Sequence, residues 1–363
     1  MTNVESQQFK LIAEENKSFA RFWLFSPAVD LGAFLGSALV ALVLLAVGAQ
    51  YGLLNNESPA WTWVSAVLLI DVAHVWATGF RVYFDPAEFK SRLWLYISVP
   101  LVGYVIGVAL YSESATLFWR ILAYLAVFHF VRQQRGWVAL YRRKLREKDD
   151  VGKWIDAAAV YLAAIYPLVY WHANLPRNFE WFVQDDFGAL PIFSVAEQII
   201  FPLYVLALSL YVFKSIYLAV FKKFYNPGKD IVVVSTAVCW YLGIVAFNSD
   251  YAFTVTNVII HGVPYFALIY WYARQRRGNA AKTYRLFSSN IVFFLSILWF
   301  LAYAEELLWH RAVWHEREWL FGADWQLDNF KMYFVPLLAL PQLTHYVLDG
   351  FIWRRKSAKF KLV

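Results

Sequence analysis

Four histidines fall in the middle of long apolar runs: His74, His129, His261 and His345. An ionisable side chain at hydrocarbon depth is costly to keep, so it marks a candidate functional site. Polar residues accompany them. Asp71 precedes His74 by three positions, Asp349 follows His345 by four, and Asn257 precedes His261 by four. Residues three or four apart on a helix share a face. Several imidazoles with carboxylates at that spacing form a donor set for a transition metal. The expected ligands are His74, His129, His261 and His345. Asp71 and Asp349 are expected either as further ligands or as acceptors that orient the imidazoles. Asp71, Asp349 and Asn257 are the expected catalytic groups.

Arg132, Gln133 and Arg135 follow His129 within two turns. Arginine holds carboxylates and phosphates through paired hydrogen bonds, so these three are the expected substrate or anion contacts. Their plainer role is to anchor the end of the helix at a membrane surface.

Composition says what must position these groups. The chain is 60% hydrophobic and only 16% charged, against roughly 25% charged in an ordinary soluble domain. Mean hydropathy is +0.45. So much apolar side chain exceeds what a soluble interior of this size can hold, so lipid is the expected solvent. The net charge of +7 lies in short loops between apolar runs. That pattern points to membrane orientation and away from nucleic acid. The single cysteine, Cys239, excludes an intrachain disulfide and is expected as a small buried hydrophobe.

A bilayer core takes about 20 apolar residues per helix. Ten segments qualify: Ala28–Val47, Trp61–Val82, Leu93–Leu110, Ala115–Tyr141, Ile155–Trp171, Ile192–Val220, Ile231–Phe247, Tyr251–Tyr272, Phe287–Leu308 and Met332–Trp353. The connecting loops alternate between strongly basic and acidic or neutral. Of 33 Lys and Arg, only Arg120, Arg177, Arg311, Arg317 and Lys331 fall on the second side. An excess of Lys and Arg marks cytoplasmic loops, so both termini are expected in the cytoplasm. The expected fold is thus all-α: a polytopic membrane helix bundle of about ten spans, in the cytoplasmic membrane. Residues 1–26 are expected as a cytoplasmic amphipathic segment, with no signal peptide. Residues 27–354 form one transmembrane domain, and 355–363 a basic tail.

This topology gives the histidines a common level. They lie on spans 2, 4, 8 and 10, which all run from the outer to the inner side. At 1.5 Å per residue each is roughly 14 to 21 Å below its outer end. A lone intramembrane histidine usually bonds between helices; four in one layer suggest a shared metal. Other polar residues read as ordinary. His172, His310 and His315 are expected at the outer surface. Glu305, Glu306, Asp30 and Asp156 are expected at the interfaces. The outer loops Ala173–Pro191 and Trp309–Asn329 are expected to lie on the surface as short amphipathic pieces. Gly262 and Pro264 are expected to loosen the eighth span and open a wall for substrate.

Known signatures are absent. There is no H-x-x-x-H or H-x-x-H-H histidine box, no H-E-x-x-H and no C-x-x-C-H. The expected function is a membrane metalloenzyme that oxidises a lipid or other lipophilic small molecule by hydroxylation, desaturation or cleavage. Iron is the first choice of metal, with zinc, manganese or copper as others and haem behind a bare ion. An iron site implies an electron-donor protein as partner. The alternatives are a proton-coupled transporter or channel, and a haem- or quinone-binding or structural subunit of a membrane complex.

Overall fold

The structure is a computed structural model that describes residues 20–276, 282–326 and 330–353. Among these residues it is all helical and contains no strand. Among the described residues nine helices are long and apolar enough to cross a membrane: α1 Pro27–Gln50, α2 Ala60–Arg81, α3 Leu93–Glu113, α4 Ala115–Lys144, α5 Asp150–Ala173, α6 Ile192–Lys222, α7 Pro227–Ala246, α8 Asp250–Arg276 and α9 Ile291–Trp314. Of the amphipathic segment expected over residues 1–26, residues 1–19 lie outside the described residues, as does the tail after 353, and Phe22, Trp23, Leu24 and Phe25 are buried against the bundle.

Many of these helices start where a side chain satisfies the first free N–H groups. Ser26 caps α1, Ser114 α4, Asp149 α5, Asn226 α7, Ser249 α8 and Asn290 α9. The expected tenth span is the exception. It is two helices, α10 Lys331–Leu338 and α11 Leu340–Ile352, separated by a turn at Ala339. Pro336 and Pro341 lack the N–H that a continuous ladder needs, and each ring crowds the turn before it. Pro100, Pro167, Pro202 and Pro264 sit inside helices that remain continuous.

Burial is graded around the bundle. The apolar stretch of α8 is 83% buried, whereas that of α3 is 11% buried. The outer helices display bare hydrocarbon: Leu101 and Val105 are each 61% exposed and Phe213 is 71% exposed. Apolar surface on that scale needs a lipid or protein partner. The central helix α8 carries His261. Gly262 beside it lets α2 come close, because a Cβ there would stand 2.5 Å from Ile70 Cγ2. The expectation that Gly262 and Pro264 open a wall is therefore corrected: α8 is helical through both, and the glycine closes a contact.

Several residues expected at the surface are buried. Glu305 is 5% exposed and Glu306 7%, because α9 turns them into the bundle. There Trp76 Nε1 donates to Glu305 at 2.6 Å and Gln342 Nε2 at 3.0 Å. His310 is buried 3.3 Å from the Glu306 carboxylate. His172 is buried between Tyr124 OH, at 2.9 Å, and the Leu168 carbonyl, at 2.7 Å. Only His315 keeps substantial exposure. Asp30 and Asp156 are wholly buried. The loop after α5 is not a surface piece either. Its Phe179 and Phe187 pack into the core with Trp171. Cys239 is free and buried, as expected.

Candidate metal centre

α2, α4, α8 and α11 each project one histidine to a common point. His74, His129, His261 and His345 are at most 2% exposed. One ring nitrogen from each lies within 4.8 Å of the other three. Two contacts define the core: His261 Nε2 to His74 Nε2 at 3.0 Å, and His345 Nε2 to His129 Nε2 at 3.1 Å. Two nitrogens can share one proton at that distance. Four can also share one ion, since metal–imidazole bonds are about 2.0–2.1 Å long.

The test of fit is the other nitrogen of each ring. A ligating imidazole donates its second N–H to an oxygen, which fixes the tautomer and the ring. His345 Nδ1 has Thr78 Oγ1 at 2.7 Å. His74 Nδ1 faces Asp71 Oδ1 at 3.5 Å, and His129 Nδ1 faces Asp349 Oδ2 at 3.7 Å. These last two distances suit an ion pair and exceed a direct hydrogen bond. His261 Nδ1 has no partner among the described residues, but its ring lies flat on Phe130, with centroids 3.5 Å apart. The donor set and three oxygen positions therefore fit a nitrogen-ligated ion. Asp71 and Asp349 stand behind the imidazoles, outside the four-nitrogen group.

Of the expected catalytic groups, Asn257 is not brought to the centre. Its amide donates to the Phe253 carbonyl at 3.1 Å, and its nitrogen packs where a Cβ on Gly243 would be. Gln133 reaches the site indirectly, donating to the His261 carbonyl at 2.9 Å. Arg132 donates to Tyr161 OH at 2.7 Å. Arg132, Gln133 and Arg135 all line a cavity of about 790 Å³ whose deep end touches His129, Tyr265, Tyr346 and Asp349.

A polar layer lies one turn from the histidines. Thr78 Oγ1 and Tyr265 OH are 3.1 Å apart, Tyr265 OH donates to Asp349 at 3.2 Å, and Trp353 Nε1 donates to the same oxygen at 2.6 Å. Thr78, Gln133, Tyr265 and Asp349 each follow a histidine by four residues. Residues at that interval stack on one helix face, so this layer was available as a signal. Only Gln133 and Asp349 were singled out from the sequence.

Comparison of this chain with protein-family models, with curated proteins and with solved structures finds no match.

Proposed function

We propose that this chain is a membrane-embedded metalloenzyme that oxidises a lipophilic substrate. One observation carries the proposal: four buried imidazoles from four helices converge within 4.8 Å. Four protein nitrogens would complete a tetrahedral zinc site, which is the closed pattern of a structural ion. An ion that prefers six ligands keeps positions for other groups. Iron is accordingly the metal we propose. When bound, it would supply redox chemistry toward dioxygen, with electrons from a donor protein, for hydroxylation, desaturation or cleavage.

The chain's own residues would orient and shield the site. With Nδ1 protonated, His345 would donate to Thr78 Oγ1, 2.7 Å away, and turn its Nε2 lone pair inward. Asp349, held by Tyr265 and Trp353, faces His129. Asp71 does the same for His74. A haem fits poorly. Five of the six ring pairs have centroids 4.4 to 6.5 Å apart, so the space a porphyrin would need beside any two histidines is filled by the other two. We further propose that the described helices span the cytoplasmic membrane, with α10 and α11 together making the last crossing and both termini inside. The support is the bias of Lys and Arg among the loops.

The test is elemental analysis with a visible spectrum on detergent-purified protein and its variants. About one iron per chain is expected. It should be lost in His74→Ala, His129→Ala, His261→Ala and His345→Ala, and kept in His315→Ala. Zinc in its place would overturn the oxidase reading and make the site structural. A Soret band would select haem. No metal in any sample, with the fold intact, would sink the metal site and leave a proton-coupled transporter as the next reading.

A further inference from the structure

The cavity beside His129 has an unusual wall. Along α4 its lining includes His129, Arg132, Arg135, Gly136 and Arg143, with Arg146 just beyond the helix. With Ala139, which also lines the cavity, His129, Arg132, Gly136, Arg143 and Arg146 recur at intervals of three or four, with Arg135 beside Gly136, so they form one stripe facing the same space. At 1.5 Å per residue, Arg132, Arg135 and Arg143 stand about 4.5, 9 and 21 Å along the axis from the His129 level. The same lining includes the apolar Leu140, Leu268, Ile352 and Trp353, the acidic Glu147 and Asp349, and His129 at the deep end, so the cavity joins apolar surface to an excess of cations.

The cations in that stripe are uncommitted. Arg142 at the rim is paired with Asp156 and Glu147. Among the described residues Arg132, Arg135, Arg143 and Arg146 enter no ion pair, and Arg132 has only the neutral Tyr161 hydroxyl. Cations that merely anchor a helix would face outward to headgroups. These line an open cavity whose buried end reaches His129. Phe128 also lines the cavity and is 63% exposed, so the cavity is open at that side chain.

We propose that this cavity binds a single-chain amphiphile with an anionic head, a carboxylate or phosphate monoester, its head on the arginine stripe and its chain reaching toward His129. Its role as the substrate rests on the metal-centre reading; its binding does not. Arginine pairs bidentately with either head group, and the apolar lining takes the chain.

The experiment is equilibrium binding of radiolabelled palmitate to the full chain in a neutral detergent, with metal and after chelation. Saturable binding of about one palmitate per chain is expected in both states. Hexadecyl phosphate should compete as well as unlabelled palmitate. Hexadecanol and inorganic phosphate should compete at least about tenfold more weakly, on the scale of one lost charge-assisted contact. Arg135→Gln with Arg143→Gln should abolish the preference for the charged amphiphile over hexadecanol. Gly136→Leu has open space around its new Cβ, so it should leave the fold intact and weaken palmitate by at least about tenfold through filling the slot. Equal competition by hexadecanol would overturn the anionic head. Equal competition by inorganic phosphate would reduce the site to a free-anion site. Absence of saturable binding to folded, metal-loaded protein would refute this proposal alone. Palmitate binding to folded protein that takes up no metal even when metal is supplied would refute the metal-centre reading alone.

Discussion

Asp156 and His261 are both fully buried, and the two regions around them handle that burial in opposite ways. Asp156 lies near the basic ends of α4 to α7. It is bonded to Arg142 and Lys214 and lies 3.1 Å from Lys229 Nζ. Glu147 holds the same Lys229 at 2.8 Å and Arg142 at 3.0 Å. Asp30 nearby is saturated too, taking three backbone N–H groups and Tyr141 OH. At the histidine centre, by contrast, His261 Nδ1, His74 Nδ1 and Asp71 Oδ1 lack hydrogen-bond partners among the described residues. Buried polar groups are normally satisfied, so groups left open need a reason. The first region is a closed staple between helices. The second turns four Nε2 atoms toward one point and leaves polar atoms open on the outer side of its rings.

The comparison is broken most severely by Asp156→Ala. It would leave three buried cations facing one another, and removing one partner of a buried ion network costs about 3–5 kcal/mol. The expected outcome is a large fall in thermal midpoint or in yield, with unchanged metal per folded molecule. A loss of metal from the folded fraction would mean that the two regions are not independent.

Ligand variants should behave in the reverse manner. Metal binding only to the native state stabilises it by about 4 kcal/mol at a thousandfold excess over Kd. Adding the metal to chelated wild-type protein should therefore raise its thermal midpoint clearly, and should leave His345→Ala unmoved. An equal rise in both would place the bound ion elsewhere.

Smaller effects sharpen the contrast within the centre. Asp349→Asn keeps the shape and removes the charge behind His129. Loss of such an outer partner typically costs about 10–100-fold in metal affinity, and competition with a chelator of known affinity would measure it. Thr78→Val, which removes the Nδ1 acceptor of His345, is expected at the lower end of that range. Unchanged affinity in both would remove these residues from the site. Tyr141→Phe, at Asp30, is a change of similar size in the other region. It should cost about 1–3 kcal/mol, the scale of a lost hydrogen bond to a charged buried group, and leave metal affinity alone.

How far the sequence could be read depended on direction. The apolar runs, the basic and acidic loops and the common depth of the four histidines all lie along the helix axes, where counting residues suffices. Depth brought His74, His129, His261 and His345 together, and the structure has them in contact. It said nothing reliable about side. Glu305 and Glu306 look interfacial by position, yet α9 turns both inward. Asn257 sits one turn from His261 and still faces Gly243. Thr78 and Tyr265 were passed over because a hydroxyl in a membrane helix is unremarkable until its neighbours on other helices are known. The break at Ala339 was missed because each half of that run is apolar, while its two prolines act through the hydrogen-bond ladder.

The sequence by itself determined that this chain is built of apolar helices, in what order they come, and at what level its buried histidines sit, because length and hydropathy constrain a helix along its axis. Only the tertiary structure decided how each helix is rotated, and hence that four Nε2 atoms meet while Asp71 and Asp349 stand behind them. Helices apolar on every face carry no periodic signal for the inward side. That choice is made by close contacts such as Gly262 against Ile70, which exist only after the helices have packed.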